Sequence, residues 1–296
     1  MFMYSIEKLA SDEQHSRWLE PTKHFNMIGC YAQTELGHGS NVAGLETTAT
    51  WDPKTDEFVL HTPNIKAAKF WPGDMGHFCS HAIVFARLRS KGKDYGVQPF
   101  MVQIRDLNNW EPMPGVELGD VGAKYGYHSK ENGFMVMNQV RIPRNDMLNR
   151  FTNLDKDGEF EVIGDLRIIY GVMMLIRLQI VCGGPMYLAG ALKIGVRYAV
   201  CRRQFKTMHG SKQERKLMDY QSHMVKFAPY LAKAYAMYAN TSYVKDLFTE
   251  MMKRISQDDF SLMDVMHHIL SGFKVTFSDW THLGIDCVRQ NCGGAG

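Results

Sequence analysis

The sequence predicts an α+β protein in which an antiparallel β-barrel or sandwich is followed by a bundle of long helices. Three observations predict it. Apolar residues alternate through several short stretches of the first half; Gly and Pro punctuate those stretches; and near residues 145–165 the apolar period lengthens toward about 3.6.

Taken in order, residues 1–20 read as the tail of a helical unit. "ETTATWDPKTDEFVLHTP" (46–63) reads as strand, turn, strand, with Thr48, Thr50, Phe58 and Leu60 alternating around Asp52-Pro53-Lys54-Thr55. "HAIVFARL" and "QPFMVQIRDL" are two further strands joined by the glycine-containing "RSKGKDYG", and "GFMVMNQVRIP" is another, closed by Pro143. After "NLDKDGEF" one long helix is predicted from Ile168 to Phe205, with Gly183, Gly184, Ala189, Gly190, Ala191 and Gly195 allowing close packing. Beyond the charged loop "KTMHGSKQERK", a second helix runs from about Met218 to Ile255, its apolar stripe formed by Val225, Ala228, Leu231, Tyr235 and Tyr238, with a kink expected at Pro229. A third covers roughly 261–291 and carries Met266, Ile269, Phe273, Phe277 and Trp280. The resulting division is 1–27 helical, 28–150 β-domain and 151–296 helical bundle.

Composition narrows the function classes. A formal net charge of +3 over 296 residues, with no run of like charges, argues against nucleic acid or a membrane surface as partner. The six cysteines are scattered with no C-x-x-C pair, which fits a reduced compartment and argues against a zinc site. The longest apolar run, "IIYGVMMLI", is bounded by Arg167 and Arg177, so no membrane span is predicted, and residues 1–20 lack the pattern of a signal peptide.

Four loops are candidates for chemistry. Tyr31–Ser40, "YAQTELGHGS", offers backbone amides and the hydroxyls of Thr34 and Ser40, without bulk at Gly37 and Gly39. It matches neither a Walker loop nor G-x-G-x-x-G, and a simple glycine turn is the plainer alternative. "KFWPG" (69–73) sets Trp71 before a Pro-Gly turn, where it either stacks on a flat ligand or plugs the barrel end. "CRRQF" places Arg202 and Phe205 three apart, on one face if helical, which suits a phosphate beside an aromatic ring or a solvated Arg beside a core Phe. "QNCGGAG" (290–296) follows a predicted helix as a C-cap. The twelve histidines form no metal pattern, and neither Asp279 nor Asp286 is marked as a base.

Taken together and in order, "YAQTELGHGSNVAGLETTATWDPKTDEFVLHTP", "KFWPG", "HAIVFARL", "MPGVELGDVGAKYGY", "NGFMVMNQVRIPRNDML", "YGVMMLIR", "VRYAVCRRQF", "LMDYQ" and "CVRQNCGGAG" resemble the acyl-CoA oxidases, a branch of the acyl-CoA dehydrogenase superfamily, along nearly the whole chain. The resemblance implies an acyl-CoA dehydrogenase-like fold of N-terminal helical domain, middle β-domain and C-terminal helical bundle, with FAD between the last two. It implies conversion of a fatty acyl-CoA to trans-2-enoyl-CoA, with a carboxylate taking the α-proton, a hydride passing to the flavin and O₂ reduced to H₂O₂. The implied compartment is the peroxisome and the implied assembly a homodimer. By motif, Thr34, Trp71 and Gly73 would contact the flavin. Arg202 and Phe205 would reach the FAD of the partner subunit with Gln221 close by, and Gln290, Gly293 and Gly294 would meet the diphosphate. Ser40 and Arg177 would hold acyl-CoA.

Departures from the family pattern also yield expectations. Ala295 stands where oxidases commonly have His. The chain reads as truncated at both ends, its residues 1–27 a remnant of the N-terminal domain and its bundle partial. The family's catalytic Glu is expected beyond Gly296, so no catalytic residue is assigned here. The alternatives to an acyl-CoA oxidase are a catalytically inactive paralogue serving as a scaffold, or an acyl-CoA dehydrogenase.

Overall fold

Residues 1–165, 167–206 and 212–296 are described by the computed structural model, in which they part into two units, Met1–Val172 and Met173–Gly296. The period-two stretches of the first unit form two sheets. Strands β1 (Gly29–Ala32), β2 (Thr48–Asp52), β3 (Glu57–His61), β5 (His81–Ser90), β6 (Lys93–Gln103) and β9 (Val140–Pro143) make a six-stranded sheet in the order β1-β5-β2-β3-β9, with β6 also paired to β5. Strands β4 (Lys69–Gly73), β8 (Asn132–Met137) and β7 (Val116–Asp120) make a three-stranded sheet in that order. A short hairpin of β10 (Thr152–Leu154) and β11 (Phe160–Val162) follows.

Most pairings are antiparallel, as alternation suggests, but β1 and β2 both run parallel to β5. The ten-residue β5 makes this possible: β1 pairs with its start at residues 81–84, and β2 with its end at residues 87–89. The inward residues Ala49, Phe58, Leu60, Val84, Leu88, Phe100 and Val102 meet Met135 and Met137 of the smaller sheet in one apolar cluster. Phe58 and Phe100 pack edge to face, their centroids 5.0 Å apart.

"GFMVMNQVRIP" is two strands rather than one. The chain turns at Asn138-Gln139, Gln139 adopting φ 56°, and passes from the small sheet into the large one. Helix α1 (Phe2–Leu9) buries Phe2, Ile6 and Leu9 at helical spacing, and Gly29 lies so close to Phe2 that a Cβ there would fall 2.2 Å from its ring. The helical turns of Asp12–Lys23 are tied on by Gln14, which donates to the carbonyls of Met147 (2.7 Å) and Asn145 (2.9 Å).

The second unit is built on α2 (Arg167–Cys201, within it from Met173), α3 (Gln221–Ile255) and α4 (Met263–Asn291). A Cβ on Gly195 of α2 would lie 2.4 Å from Val288, and one on Gly284 of α4 would lie 2.5 Å from Leu188, so small residues allow these two helices to approach closely. Pro185 removes the hydrogen bond normally made to the carbonyl of Val181, and the hydroxyl of Thr241 on α3 donates to that oxygen at 3.3 Å.

Four predictions for this unit are corrected. The first helix stops at Cys201, because Arg203–Lys206 (β12) pairs antiparallel with Glu214–Lys216 (β13); residues 207–211 of the predicted charged loop lie outside the described residues. The second helix begins at Gln221, not Met218, after a 3₁₀ turn at Leu217–Asp219. Its predicted stripe is exposed at Val225, Leu231, Tyr235 and Tyr238, whereas Phe227, Ala234, Met237, Thr241, Val244, Phe248 and Met251 are buried. The period was right and the phase wrong, because apolar residues occupy both faces of that stretch. Lastly, Gly171–Cys201 is long and apolar enough to cross a membrane by length and composition, since one arginine does not interrupt a helix as it interrupts a run of letters. Val181 and Leu188 within it are fully buried against protein.

Candidate functional site

In the first unit two segments come together along one edge. Leaving β1, the loop after Ala32 folds back on itself through paired hydrogen bonds between Glu35 and His38 (both 3.1 Å). It then lies against the approach to β4: the Phe70 amide donates to Thr34 O (3.0 Å), Leu36 to Ala68 O (2.9 Å) and Gly37 to Lys66 O (2.8 Å). A Cβ on Gly37 would sit 2.9 Å from that of Lys66, which is why this position must be small. Thr34 is half-buried, while Gly39 and Ser40 are exposed.

Trp71-Pro72-Gly73 belongs to strand β4 and not to a Pro-Gly turn; a register shift between Phe70 and Gly73 bulges it. Trp71 adopts φ 86°, a conformation bulky residues rarely take, and its carbonyl is held by the Asn132 side chain at 2.7 Å. The ring is 51% exposed, so it does not plug the barrel end. The bulge turns a large aromatic face outward beside the Thr34 loop.

Beneath both segments lies an ion pair between Glu35 and Lys69, 3.0 Å apart, with both side chains fully buried. Lys69 Nζ donates to Glu35 Oε1 and to the carbonyls of Gln33 (3.2 Å) and Phe85 (2.6 Å). Glu35 accepts from the amides of Glu46 (2.8 Å) and Thr47 (2.9 Å) and from the Thr47 hydroxyl (2.6 Å). Burial pushes Lys69 down to about 8. Burial alone would raise the Glu35 carboxyl, but the lysine charge and the donated hydrogen bonds hold it below its ordinary value. No local pattern reveals this pair, whose members stand 34 residues apart. The one available signal was a lysine opening a strand whose next residues are Phe and Trp.

A second buried group joins the N-terminal turns to the sheet. Asp146 is pushed up to about 6 by burial, against the pull of Arg17 at 2.6 Å. Burial and the same arginine push His81 down to about 4, and its Nδ1 lies 2.9 Å from Ser80 Oγ.

In the second unit, contacts along the helices bring six predicted residues to one end. Lys226 near the start of α3 reaches Asn291 at the end of α4 (3.1 Å), and Gly195 near the end of α2 lies against Val288 and Phe227. Arg202, Phe205, Gln221, Gln290, Gly293 and Gly294 therefore share that end, all but Phe205 and Arg202 at helix termini. The predicted helical face joining Arg202 to Phe205 does not exist: Arg202 follows the last turn of α2, and Phe205 sits in β12 at φ 62° with its ring 71% exposed. Gln221 opens α3, Gln290 donates to Asp286 (2.6 Å), and Gly293 takes φ 65°. Asp286 is held below the usual carboxylate range, first by its hydrogen bond to Arg289 and then by Gln290, so it is poorly suited to act as a base. Arg177 is not at this end. It lies 25 residues before Arg202 in sequence, nearly all of them helical, or about 36 Å along the axis, and donates to His267 Nδ1 at 3.0 Å.

Among the described residues no group of three or more His, Cys, Asp or Glu is placed to hold a metal ion, and the six cysteines are free thiols. Residues 170–296 match the family model for the acyl-CoA oxidase C-alpha1 domain. Along its full length the chain is 42% identical to peroxisomal acyl-coenzyme A oxidase 1 of Arabidopsis thaliana and 37% identical to that of Mus musculus, covering 45% of each. The solved structure of Arabidopsis thaliana acyl-CoA oxidase 1 superposes on all of this chain and 45% of its own with a TM-score of 0.95. Caenorhabditis elegans acyl-CoA oxidase-2 bound with FAD, ascaroside-CoA and ATP, 39% identical, does so over 99% of this chain and 44% of its own, also at 0.95. The chain thus spans less than half the length of the curated relatives it matches.

Proposed function

We propose that the chain belongs to the acyl-CoA oxidase family, which it resembles along its whole length, and that it supplies flavin- and substrate-holding residues for peroxisomal β-oxidation, in which a fatty acyl-CoA and O₂ become trans-2-enoyl-CoA and H₂O₂. The observation that carries this reading is 42% identity maintained over the entire chain, with a TM-score of 0.95, to an acyl-CoA oxidase.

The residues fit FAD. Trp71 offers an exposed aromatic face, the Thr34 loop offers the half-buried Thr34 side chain and exposed backbone at Gly39 and Ser40, and the positive φ of Gly293 opens the backbone after α4, where among the described residues no side chain crowds Gly293 or Gly294. Bound FAD supplies the two-electron acceptor. Thr34, Trp71 and Gly73 orient its ring system and keep water from one side. In the second unit, Gln290, as an amide donor, and Gly293 and Gly294, as open backbone, would meet an FAD diphosphate, while Arg202, as a cation, and Phe205, as a flat apolar contact, would form a separate contact with Gln221 close by. We assign Arg202 and Phe205 to the cofactor of a partner subunit, which makes the working form a homodimer. Ser40 and Arg177 are assigned to acyl-CoA, and no residue here is assigned as the base that takes the α-proton.

Titration of the purified protein with FAD, followed by quenching of flavin fluorescence, tests the reading. Saturable binding that weakens in both Trp71→Ala and Arg202→Ala is expected. Binding indifferent to both changes overturns the assignment.

A further inference from the structure

The Glu35–Lys69 pair is not accounted for by the roles given above. A buried ion pair is commonly no more stabilising than apolar residues of the same size, so its presence calls for another explanation. Its position provides one. Glu35 and Lys69 face each other across an isolated antiparallel bridge, between Thr34 and Leu36 on one side and Ala68 and Phe70 on the other. Side chains alternate across such a bridge. The pair points into the core, and Thr34 and Phe70 turn the other way. Every proton of Lys69 Nζ has an acceptor, on three different segments: Gln33 at the exit of β1, Glu35 in the loop, and Phe85 in the middle of β5. Both Glu35 oxygens are occupied by the Glu46-Thr47 backbone that leads into β2. Ionic groups with this many fixed partners tolerate little displacement, whereas an apolar pair would let the two segments slide.

We infer that Glu35 and Lys69 are a positioning pair, which fixes the Thr34 loop and the Trp71 bulge relative to each other so that both present one continuous surface to the flavin. The inference rests on the flavin reading above for what the surface meets, but not for the rigidity itself. The test uses the full chain as Glu35→Leu/Lys69→Leu, which removes both charges together, and as Thr47→Val, which keeps the pair and deletes one hydrogen bond to it.

Two readouts separate the claims. Hydrogen exchange over residues 33–40 and 69–74, measured without FAD, should accelerate at least about tenfold in the double variant while β5 and β6 keep their protection. Unchanged exchange overturns the positioning role. FAD affinity should fall about tenfold or more in the double variant and by a smaller factor in Thr47→Val, with a shifted flavin absorption band. A wild-type chain that binds FAD while the variants match its affinity and spectrum also overturns the inference. A wild-type chain that binds no FAD overturns the flavin reading and leaves the exchange result to decide the rigidity. Should the double variant not fold, Thr47→Val decides: unchanged exchange and affinity there overturn the proposal.

Discussion

In the first unit the residues assigned to the cofactor stand on a backbone frame closed from below by a buried ion pair, whereas in the second they stand on helix ends and an exposed hairpin. Trp71 owes its outward aim to a bulge, an unusual φ and the Asn132 side chain beneath it. Arg202 is exposed, and its guanidinium donates to the neighbouring Arg203 carbonyl at 2.5 Å, a partner in its own flanking backbone. The difference teaches that two stretches with equally clear motifs can be supported very differently. Changes beneath the first cluster should act on stability as well as on ligand affinity, and changes within the second on ligand affinity alone.

Four measurements can break that comparison. Lys69→Met leaves Glu35 buried without its cation and should cost about 3–5 kcal/mol in urea unfolding; a loss below about 1 kcal/mol would mean that the frame does not depend on the pair. In the second unit the comparably sensitive point is packing rather than charge. Gly284→Val drives a side chain into Leu188 and Tyr230 and should cost about 1–3 kcal/mol, with wild-type stability showing that the helices have room to separate.

The third measurement concerns pH. The folded Asp146 carboxyl, at about 6, holds its proton more tightly than an unfolded aspartate near 3.8. Its contribution is therefore complete at acid pH and is lost as pH rises through that interval, by on the order of 3 kcal/mol. Relative to Asp146→Asn, the wild-type protein should lose stability between pH 4 and 6; parallel profiles would refute this. His81 has the opposite sign, because a depressed folded value makes the charged form unfavourable and stability falls as pH drops from 6.5 toward 4. The two groups partly offset each other in the wild type, so the single variant is the informative measurement. Smallest of all, Arg202→Ala should change stability by no more than about 0.5 kcal/mol while weakening FAD binding. A large thermal shift would show that the second cluster is also load-carrying within its unit.

Much of this was legible in the sequence, for physical reasons that differ by element. The strands around Asp52-Pro53 announced themselves because alternation records a buried face, and the run His81–Ser90 because a strand buried on both faces reads as a short continuous apolar stretch. The end of α2 was not legible. Arg203, Gln204 and Phe205 are acceptable helix residues, and only pairing with Glu214–Lys216 converts them to a strand. The division of "GFMVMNQVRIP" was hidden because Gln139 takes a positive φ without being Gly or Asn. The α3 stripe failed in phase because Tyr235 and Tyr238 are as apolar in pattern as Phe227 and Met237, and only packing decides between the faces. The motif residues were found in sequence, but what holds them was not, since the lysine beneath Trp71 acts through partners far along the chain.

The sheet order also sets a schedule for synthesis. Strand β3 pairs with β9, so residues 57–61 have no second neighbour until residues 140–143 have left the ribosome. Through that interval β3 presents an unsatisfied edge, open to wrong partners on neighbouring chains. The helical unit carries no comparable delay, because α3 and α4 are adjacent in sequence and can pair as soon as both exist. Slow translation or crowding should therefore produce aggregates nucleated by Glu57–His61, and a chaperone that recognises extended apolar strands would have its substrate there.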